Sequence, residues 1–350
     1  MLQTYKNNPK PFLHGVLLIF IIVAPFWFPN FTTQLATLWL FIIVAMTWDM
    51  TGGQMGYNSL GNIFFYGTGM YAAAVFAISL VYDVGDYTSA FGGGRFDFTD
   101  QQYFTGFIFG SLFAGFFCAI SAFIVGYLTF GLRGPYFAIG TLGVAIAAGE
   151  LVSNWEWVGG GQGIVLPVYP GDLDDGKIFI YYAFAITGVV LFTFLNWLYK
   201  TRFGAAMNAI RDDEEKAEAM GIHTLRYKLI TWAMAAFFVG IVGGISAFQL
   251  ISFEPLETAY QTINLGIFMV VCVLLGGKGT LWGPIIGAIL FHVIKEVTWS
   301  YFLGWQWVAL GFLIVVTVVY FQDGLMGWLK TKKPEWFGIR VDQKEFEAAE

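Results

Sequence analysis

Residues 202–226 read RFGAAMNAIRDDEEKAEAMGIHTLR, a charged segment that lies between two apolar runs of the chain. Five of the 24 acidic residues and four of the 18 basic residues fall within it. The flanking runs, 178–199 and 228–250, have the length of membrane-spanning helices, which need about 20 apolar residues to cross about 30 Å of hydrocarbon. The segment is therefore interpreted as a polar connection between two membrane spans.

The composition of the whole chain supports this interpretation. Of 350 residues, 57% are hydrophobic and only 12% are charged, whereas a soluble domain has about 25% charged residues. The pattern predicts an all-α polytopic membrane protein with about ten transmembrane helices, within a range of about eight to ten. The predicted spans are 12–28, 34–50, 60–82, 104–130, 134–152, 178–199, 228–250, 264–277, 281–297 and 303–321. The short runs 264–277 and 281–297 are either two full spans or a re-entrant pair of half-helices.

The first apolar run has two interpretations. Lys6 and Lys10 precede it, as in a signal peptide, but it contains Pro25 and Pro29 and lacks a small-x-small cleavage site. Another span follows directly. We therefore expect a retained first helix.

The distribution of Lys and Arg predicts the orientation of the chain. With the N-terminus in the cytoplasm, 15 basic residues lie on the cytoplasmic side and only Arg95, Lys177 and Lys295 lie outside, as the positive-inside rule requires. Both termini and the 200–228 loop are then cytoplasmic. We expect a transmembrane domain over 1–325 and a cytoplasmic tail over 326–350.

Several kinds of chemistry find no support in the sequence. Cys118 and Cys272 both lie in apolar runs, which argues against a disulfide framework or a zinc site. No catalytic triad or metal-ligand spacing occurs, and nothing predicts a nucleic-acid partner. The segment Gly276-Gly277-Lys278-Gly279-Thr280 lacks the spacing of a phosphate-binding loop and is interpreted as a tight turn.

The 202–226 segment carries helix-capping signals. Asp212 is expected to be an N-cap, with Glu215 three residues later, and Gly221 is expected to follow the last turn. These signals predict a helix of about eight or nine residues, which is marginal alone. It either lies on the membrane surface or docks on a partner protein through an apolar edge formed by Ala217, Met220 and Ile222.

The segment resembles the cytoplasmic coupling loop of LivM-type permeases, the membrane subunits of ATP-binding-cassette importers for branched-chain amino acids. The matching residues are Ala209-Ile210-Arg211-Asp212-Asp213-Glu214, Glu218-Ala219-Met220-Gly221-Ile222 and Tyr227-Lys228. Further similar segments are Ser59-Leu60-Gly61, Leu132-Arg133-Gly134 with Tyr136 to Leu142, Gly159 to Ile164, and Gly276-Gly277 to Ala288. Tyr57, Asn58 and Asn62 depart from the family's usual Gln, Leu and His.

This resemblance implies a function and a set of partners. The chain would be a permease subunit without enzymatic activity or a cofactor of its own, and ATP and magnesium would bind to two separate ATPase subunits. A second permease subunit and an external solute-binding protein would complete the importer, in the inner (plasma) membrane of a bacterium or archaeon. The residues expected to couple to the ATPase are Arg211, Asp212, Asp213, Glu214, Glu218, Ala219 and Gly221.

A second group of polar and small residues is a candidate for the substrate pathway. Asn58, Ser59, Gly61 and Asn62 adjoin the start of a span, where unwound backbone can line a cavity. Thr141 joins them from a segment that resembles the same family. The alternative is that Asn58 or Ser59 simply caps a helix.

Other functions remain open from the sequence. A transporter or channel driven by an ion gradient is the main alternative to the ATP-driven importer, although no series of intramembrane charges follows one helix. The substrate could be a branched-chain or other hydrophobic amino acid, or an amide, urea or an aromatic acid.

Overall fold

The computed structural model describes residues 10–90, 96–301 and 324–332, together with Trp305, Val308, Gly311, Phe312, Val315, Val316 and Val319. In this part the chain is almost entirely helical. The helices before the charged segment are α1 (Lys10–Trp27), α2 (Thr32–Gly52), α3 (Asn62–Ser79), α4 (Val84–Ser89), α5 (Asp100–Thr129), α6 (Pro135–Ser153) and α7 (Leu173–Leu198). Then come α8 (Arg202–Asp212), α9 (Glu214–Ala219), α10 (Thr224–Leu250), α11 (Phe268–Gly276), α12 (Gly283–Tyr301) and α13 (Gly324–Lys332).

Six helices in the described ranges are long and apolar enough to cross a membrane: α2 with its preceding turn, α3, α5, α6, α7 and α10. The chain is thus an all-α polytopic membrane protein. The expected spans at 12–28 and 281–297 correspond to α1 and α12, which are not among the six. Most of the expected span at 303–321 and most of the tail at 326–350 lie outside the described residues.

The centre of the bundle is formed by α3, α5 and α10, which approach one another at small residues. A Cβ atom on Gly69 of α3 would lie 2.5 Å from the carbonyl oxygen of Gly240 in α10. A Cβ atom on Gly243 would lie 2.3 Å from the carbonyl oxygen of Tyr66. Small residues let two helix backbones come close enough for van der Waals contact. Membrane helices depend on such contacts because lipid is as apolar as their side chains, so the hydrophobic effect does not drive them together.

The short run at 264–277 does not form a full-length α-helical span. A π-helical turn over Thr262–Ile267 leads into the nine-residue α11, and the apolar helical stretch Leu265–Gly276 is too short to cross a bilayer by itself. α11 packs tightly on α12, because a Cβ atom on Gly287 would lie 1.8 Å from the carbonyl oxygen of Cys272. This arrangement agrees with the half-helix interpretation of 264–277, while α12 is a continuous 19-residue helix.

The connection between α11 and α12 is the tight turn that the sequence predicts. Gly277 and Gly279 have φ angles of 120° and 73°, a conformation that favours glycine. Thr280 Oγ1 accepts a hydrogen bond from Gly283 N at 3.0 Å and caps the start of α12.

At the opposite end of the bundle, the glycine-rich stretch 159–163 is ordered by strand pairing. Gly163 leads into a two-residue strand β1 (Ile164–Val165), which pairs antiparallel with β2 (Ser252–Phe253). Gly163 has a φ of 80°, and a Cβ atom there would lie 2.0 Å from the carbonyl oxygen of Phe253. The pairing therefore attaches this stretch to the residues that follow α10.

Candidate functional site

The charged segment forms two short helices, α8 and α9, rather than one. The boundary lies at Asp213, whose extended backbone interrupts the helix and whose side chain accepts a hydrogen bond from Lys216 N at 3.1 Å. Asp213 is therefore the N-cap, and the prediction that Asp212 would cap the helix was wrong by one residue. α9 has six residues, fewer than expected. Gly221 follows its last turn with a φ of 88°, as its expected position after the helix requires.

A buried ion pair joins α9 to the first turns of α10. Lys228 Nζ lies 2.6 Å from Glu214 Oε1, and the two side chains are only 4% and 15% exposed. Tyr57, in the connection between α2 and α3, donates its hydroxyl to Glu214 and accepts a hydrogen bond from Lys228 Nζ at 3.0 Å. Thr224 donates its hydroxyl to Glu218 and, at 3.3 Å, to Glu214. We call Tyr57, Glu214, Glu218, Thr224 and Lys228 the Glu214 network.

The Glu214 network sets the protonation of its members. Burial raises the pKa of Glu214, but hydrogen bonds from Lys228 and Tyr57 outweigh it and hold the pKa below its usual value. Burial, together with the hydrogen bond to Glu214, raises the pKa of Tyr57. At neutral pH Glu214 is therefore a carboxylate and Tyr57 a phenol, which is the state in which every hydrogen bond of the pair can form.

Around this network lies a polar cleft of about 370 Å³, which we call the loop-side cleft. It is lined by Met55, Gly56, Tyr57, Asn58, Arg133, Gly134, Ile210, Arg211, Asp213, Glu214 and Glu215. Arg133, from the connection between α5 and α6, lies 3.3 Å from Glu215 in an exposed ion pair. Arg211 packs over Gly56, whose added Cβ atom would meet its Cγ at 3.2 Å. The α2–α3 connection, the α5–α6 connection and the charged segment between α7 and α10 thus meet in this cleft, at one end of the bundle.

Several side chains of α9 project away from the protein. Glu215 and Lys216 are 80% and 83% exposed, and Met220, just after the helix, is 84% exposed. Ala217, by contrast, is buried. The expected apolar edge is therefore divided: Ala217 faces the bundle, while Met220 remains on the outer surface beside the charged residues.

The turn between α11 and α12 is attached to the same end of the bundle. Gly279 N donates a hydrogen bond to Asp49 Oδ1 of α2 at 2.8 Å, and Lys278 Nζ donates to Asn58 Oδ1 at 3.4 Å. Asp49 is 1% exposed, so its carboxylate is buried at this end of the bundle. It fastens the end of α2 to the turn before α12.

The structure separates the candidate pathway residues into two environments. Asn58 lines the loop-side cleft, whereas Ser59, Asn62 and Thr141 are fully buried. Thr141 Oγ1 accepts a hydrogen bond from Leu60 N at 3.1 Å, and Ser59 Oγ accepts one from Gly61 N at 2.9 Å. Neither amide atom of Asn62 has a hydrogen-bond partner in the described part of the chain. These residues order the start of α3, and whether substrate reaches them stays a prediction.

Tyr57, Thr224 and Lys228 belong to the candidate site in the structure but were not among the site residues predicted from the sequence. Lys228 was noted only as a matching position, and Tyr57 only as a departure from the family's usual residue. The replacement of the family's usual Gln by Tyr57 was a usable signal. In the structure the phenol of Tyr57 donates to the carboxylate of Glu214, more than 150 positions away. Their proximity to Glu214 depends on tertiary packing, which spacing along the chain does not reveal.

The fold and this site define a class of protein: a polytopic helical membrane protein in which a short helix pair is docked across the ends of several spans. Comparison with known families makes the class specific. Residues 30–321 match the family model described as branched-chain amino acid transport system / permease component, and the chain belongs to this family. The predicted resemblance is thereby confirmed, and the chain is a membrane transport subunit of an importer family.

Individual relatives show the breadth of the family. The chain is 27% identical to the high-affinity branched-chain amino acid transport system permease protein LivM of Escherichia coli (strain K12), over 89% of this chain and 73% of the relative. It is 26% identical to the LivM protein of Salmonella typhimurium over the same shares. The autoinducer 2 import system permease protein LsrC of Yersinia pestis (strain Pestoides F) is 29% identical over 51% of each chain. No solved structure matches the chain.

Proposed function

We propose that this protein is the transmembrane permease subunit of an ATP-driven importer for branched-chain or other hydrophobic amino acids. The substrate is delivered by an external solute-binding protein, and two ATPase subunits bind ATP and magnesium on the cytoplasmic side. A second permease subunit completes the pathway in the inner (plasma) membrane of a bacterium or archaeon. In this topology both termini are cytoplasmic and the bundle contributes about ten spans.

The single observation that carries the proposal is the attachment of α9. Its outward face presents Glu215 and Lys216, with Met220 just after it, while its inward face is tied to α10 and to the α2–α3 connection by the Glu214 network. A movement imposed on the outward face is therefore transmitted to the ends of membrane helices through buried bonds. This is the mechanical property that a coupling helix needs, and Arg211, Asp212, Asp213, Glu214, Glu218, Ala219 and Gly221 form or support it.

Met220 offers a direct test, because its exposure makes a substitution there harmless to the fold. We expect Met220→Asp to weaken binding of the ATPase subunits by about tenfold or more, as for an interface anchor. The exposed Lys200, outside α9, provides the control Lys200→Asp. The measurement is the affinity of the purified permease complex for the ATPase subunits, together with ATP-dependent leucine uptake in proteoliposomes. Unchanged affinity for the Met220 variant would exclude α9 as the docking element.

A transporter or channel driven by an ion gradient is the competing function. It predicts that the purified chain alone moves leucine in liposomes without ATPase subunits. The importer predicts no such movement, and uptake that requires ATP, the ATPase subunits and the binding protein. If uptake of an amide, urea or an aromatic acid exceeds leucine uptake in the same assay, the protein is still an ATP-driven importer, but its substrate belongs to that other class.

A further inference from the structure

A second cleft, of about 560 Å³, opens at the end of the bundle opposite the charged segment. We call it the far-side cleft. It lies between the start of α2, the end of α10 and the end of α12, and the two π-helical turns Pro255–Ala259 and Thr262–Ile267 contribute to its wall. π-Helical turns are rare and often accompany functional sites. Irregular backbone at membrane depth is tolerated where it lines a cavity.

The far-side cleft contains a largely buried cation, Lys295, whose ion pair with Glu296 is long. The side chain of Lys295, in α12, is only 20% exposed, and Nζ lies 5.5 Å and 5.7 Å from the ring centroids of Phe41 and Trp299. In the described ranges its ion-pair partner is Glu296, whose Oε1 lies 3.7 Å from Nζ, beyond hydrogen-bond distance. Within the described ranges the Lys295 ammonium makes no hydrogen bond, so it retains the capacity to bind an anionic group.

A carboxylate lines the same cleft from the opposite element. Glu257 lies on the first π-helical turn, is exposed to the cleft and accepts no hydrogen bond from the described part of the protein. The rest of the lining includes polar side chains such as Thr37 and Gln261, and Leu40, Leu265 and Phe268 form its apolar wall. One cation, one anion and an apolar surface in a cavity of this size match a small zwitterion with an apolar side chain.

We propose that the far-side cleft is the site at which the permease receives an α-amino acid with an apolar side chain. Lys295 binds the α-carboxylate, Glu257 binds the α-ammonium group, and the apolar wall accommodates the side chain. This inference rests on the proposed import function and names the substrate class at the entry to the pathway. Urea and neutral amides carry neither charge, and an aromatic acid lacks the ammonium group, so the cleft selects against them.

The first experiment compares Glu257→Gln and Lys295→Gln in the complete importer, reconstituted in proteoliposomes with its binding protein. We expect each variant to reduce ATP-dependent leucine uptake by about tenfold or more, because each leaves one charge of the zwitterion unpaired in a partly dry site. Asp174→Asn and Lys177→Gln are matched controls. They remove an exposed ion pair at the same end of the bundle, with 2.7 Å between Nζ and Oδ1, and should leave uptake unchanged. Uptake by both cleft variants at the unmodified rate would overturn the proposal.

A second experiment does not depend on how well the charge variants assemble. Cys118 and Cys272 are buried, so a single cysteine introduced at Thr37, on the cleft wall, can be labelled selectively when the partner subunits are free of cysteine. We expect millimolar L-leucine, but not urea, to slow alkylation of Thr37→Cys by a membrane-impermeant maleimide by several-fold. Asp174→Cys, outside the cleft, should be alkylated equally with and without leucine. Equal alkylation at Thr37 would overturn the site, and a cleft filled by phospholipid would give that result.

The two proposals fail in different ways. If the unmodified importer shows no ATP-dependent leucine uptake, the proposed function is wrong. If that uptake is present while the charge variants transport normally and Thr37→Cys is unprotected, the importer stands and only the far-side cleft is excluded as its amino-acid site.

Discussion

At the scale of single residues, Glu214 and Glu215 are chain neighbours with opposite surroundings. Glu214 is 15% exposed and paired with a lysine that is 4% exposed, whereas Glu215 is 80% exposed and paired with the exposed Arg133. Removing one member of a buried pair leaves the other charge without compensation, which costs about 3–5 kcal/mol. Exposed pairs contribute little, because water and salt screen them.

This contrast predicts that Glu214→Gln destabilises the protein strongly and Glu215→Gln barely does. We expect the Glu214 variant to lower the free energy of unfolding by about 3–5 kcal/mol, because Lys228 loses its buried counter-charge. The measurement is the thermal unfolding midpoint, followed with a thiol-reactive dye that reports exposure of the buried Cys118 and Cys272. Equal midpoints for the two variants would contradict a structural role for the Glu214 network.

The lowered pKa of Glu214 also predicts how this stabilisation depends on pH. A carboxylate whose pKa is lowered by folding stabilises the protein fully above its unfolded-state pKa, near 4.5, and loses that contribution as pH falls through the folded-state pKa. The difference in unfolding midpoint between the unmodified protein and Glu214→Gln should therefore be constant from about pH 6 to 8. It should narrow only below about pH 4.5. Narrowing that begins near pH 6 would show that burial, not the hydrogen bonds, controls this group.

At the scale of elements, the boundary between α8 and α9 determines how the charged segment presents its surface. Asp213 caps α9, and its own backbone is extended, so α8 and α9 are separate helices. Asp212, one residue earlier, ends α8 and pairs with the exposed Arg211 at 3.0 Å. The sequence correctly predicted that an aspartate caps this helix. Because two aspartates are consecutive, it did not determine which of them is the cap.

The cap predicts different effects for these two aspartates. Asp213→Ala should reduce stimulation of the ATPase subunits by the permease several-fold, because α9 loses the acceptor for Lys216 N and frays. Asp212→Ala should have a much smaller effect. The measurement is ATP hydrolysis by the reconstituted importer with binding protein and leucine. If the two variants lose stimulation equally, α9 does not act through its capped conformation.

At the scale of the whole molecule, α3, α5 and α10 are held at distances that only small residues permit. Gly243 faces the backbone of Tyr66, and Gly240 faces that of Ala114, where an added Cβ atom would lie 2.7 Å from the carbonyl oxygen. Because α10 begins at the Glu214 network and ends at the far-side cleft, its packing links the two ends of the bundle. Any change that separates α10 from α3 should affect both.

We therefore expect Gly243→Val to destabilise the bundle by about 1–3 kcal/mol or more, because the added methyl groups force the backbones of α3 and α10 apart. Gly143→Ala is the control, since nothing lies within 4 Å of an added Cβ atom at Gly143. Thermal unfolding midpoints and leucine uptake should both fall for the first variant and stay unchanged for the second. A normal midpoint for Gly243→Val would contradict the close approach of α3 and α10 at this glycine.

Much of this protein was determined by the sequence alone. Apolar runs long enough to span a bilayer identify the chain as a membrane protein. Because lipid cannot hydrogen-bond to exposed backbone, those runs must form helices. Local signals also predicted the turn at 276–280 and a capped helix after Asp212, which begins one residue later than predicted, since capping and positive φ angles depend on residues a few positions apart. The family motif was also recognisable, because its residues lie a few positions apart in the sequence.

Only the tertiary structure decided which polar groups meet. Glu214 reaches Tyr57 and Lys228 across 157 and 14 positions, and Asp49 reaches Gly279 across 230. The helix α11 (Phe268–Gly276) is short because a π-helical turn precedes it, and the two π-helical turns, with α2, α10 and α12, line the far-side cleft. Such contacts depend on how helices pack around one another. Hydropathy and spacing record where each helix begins and ends, but not which faces come together.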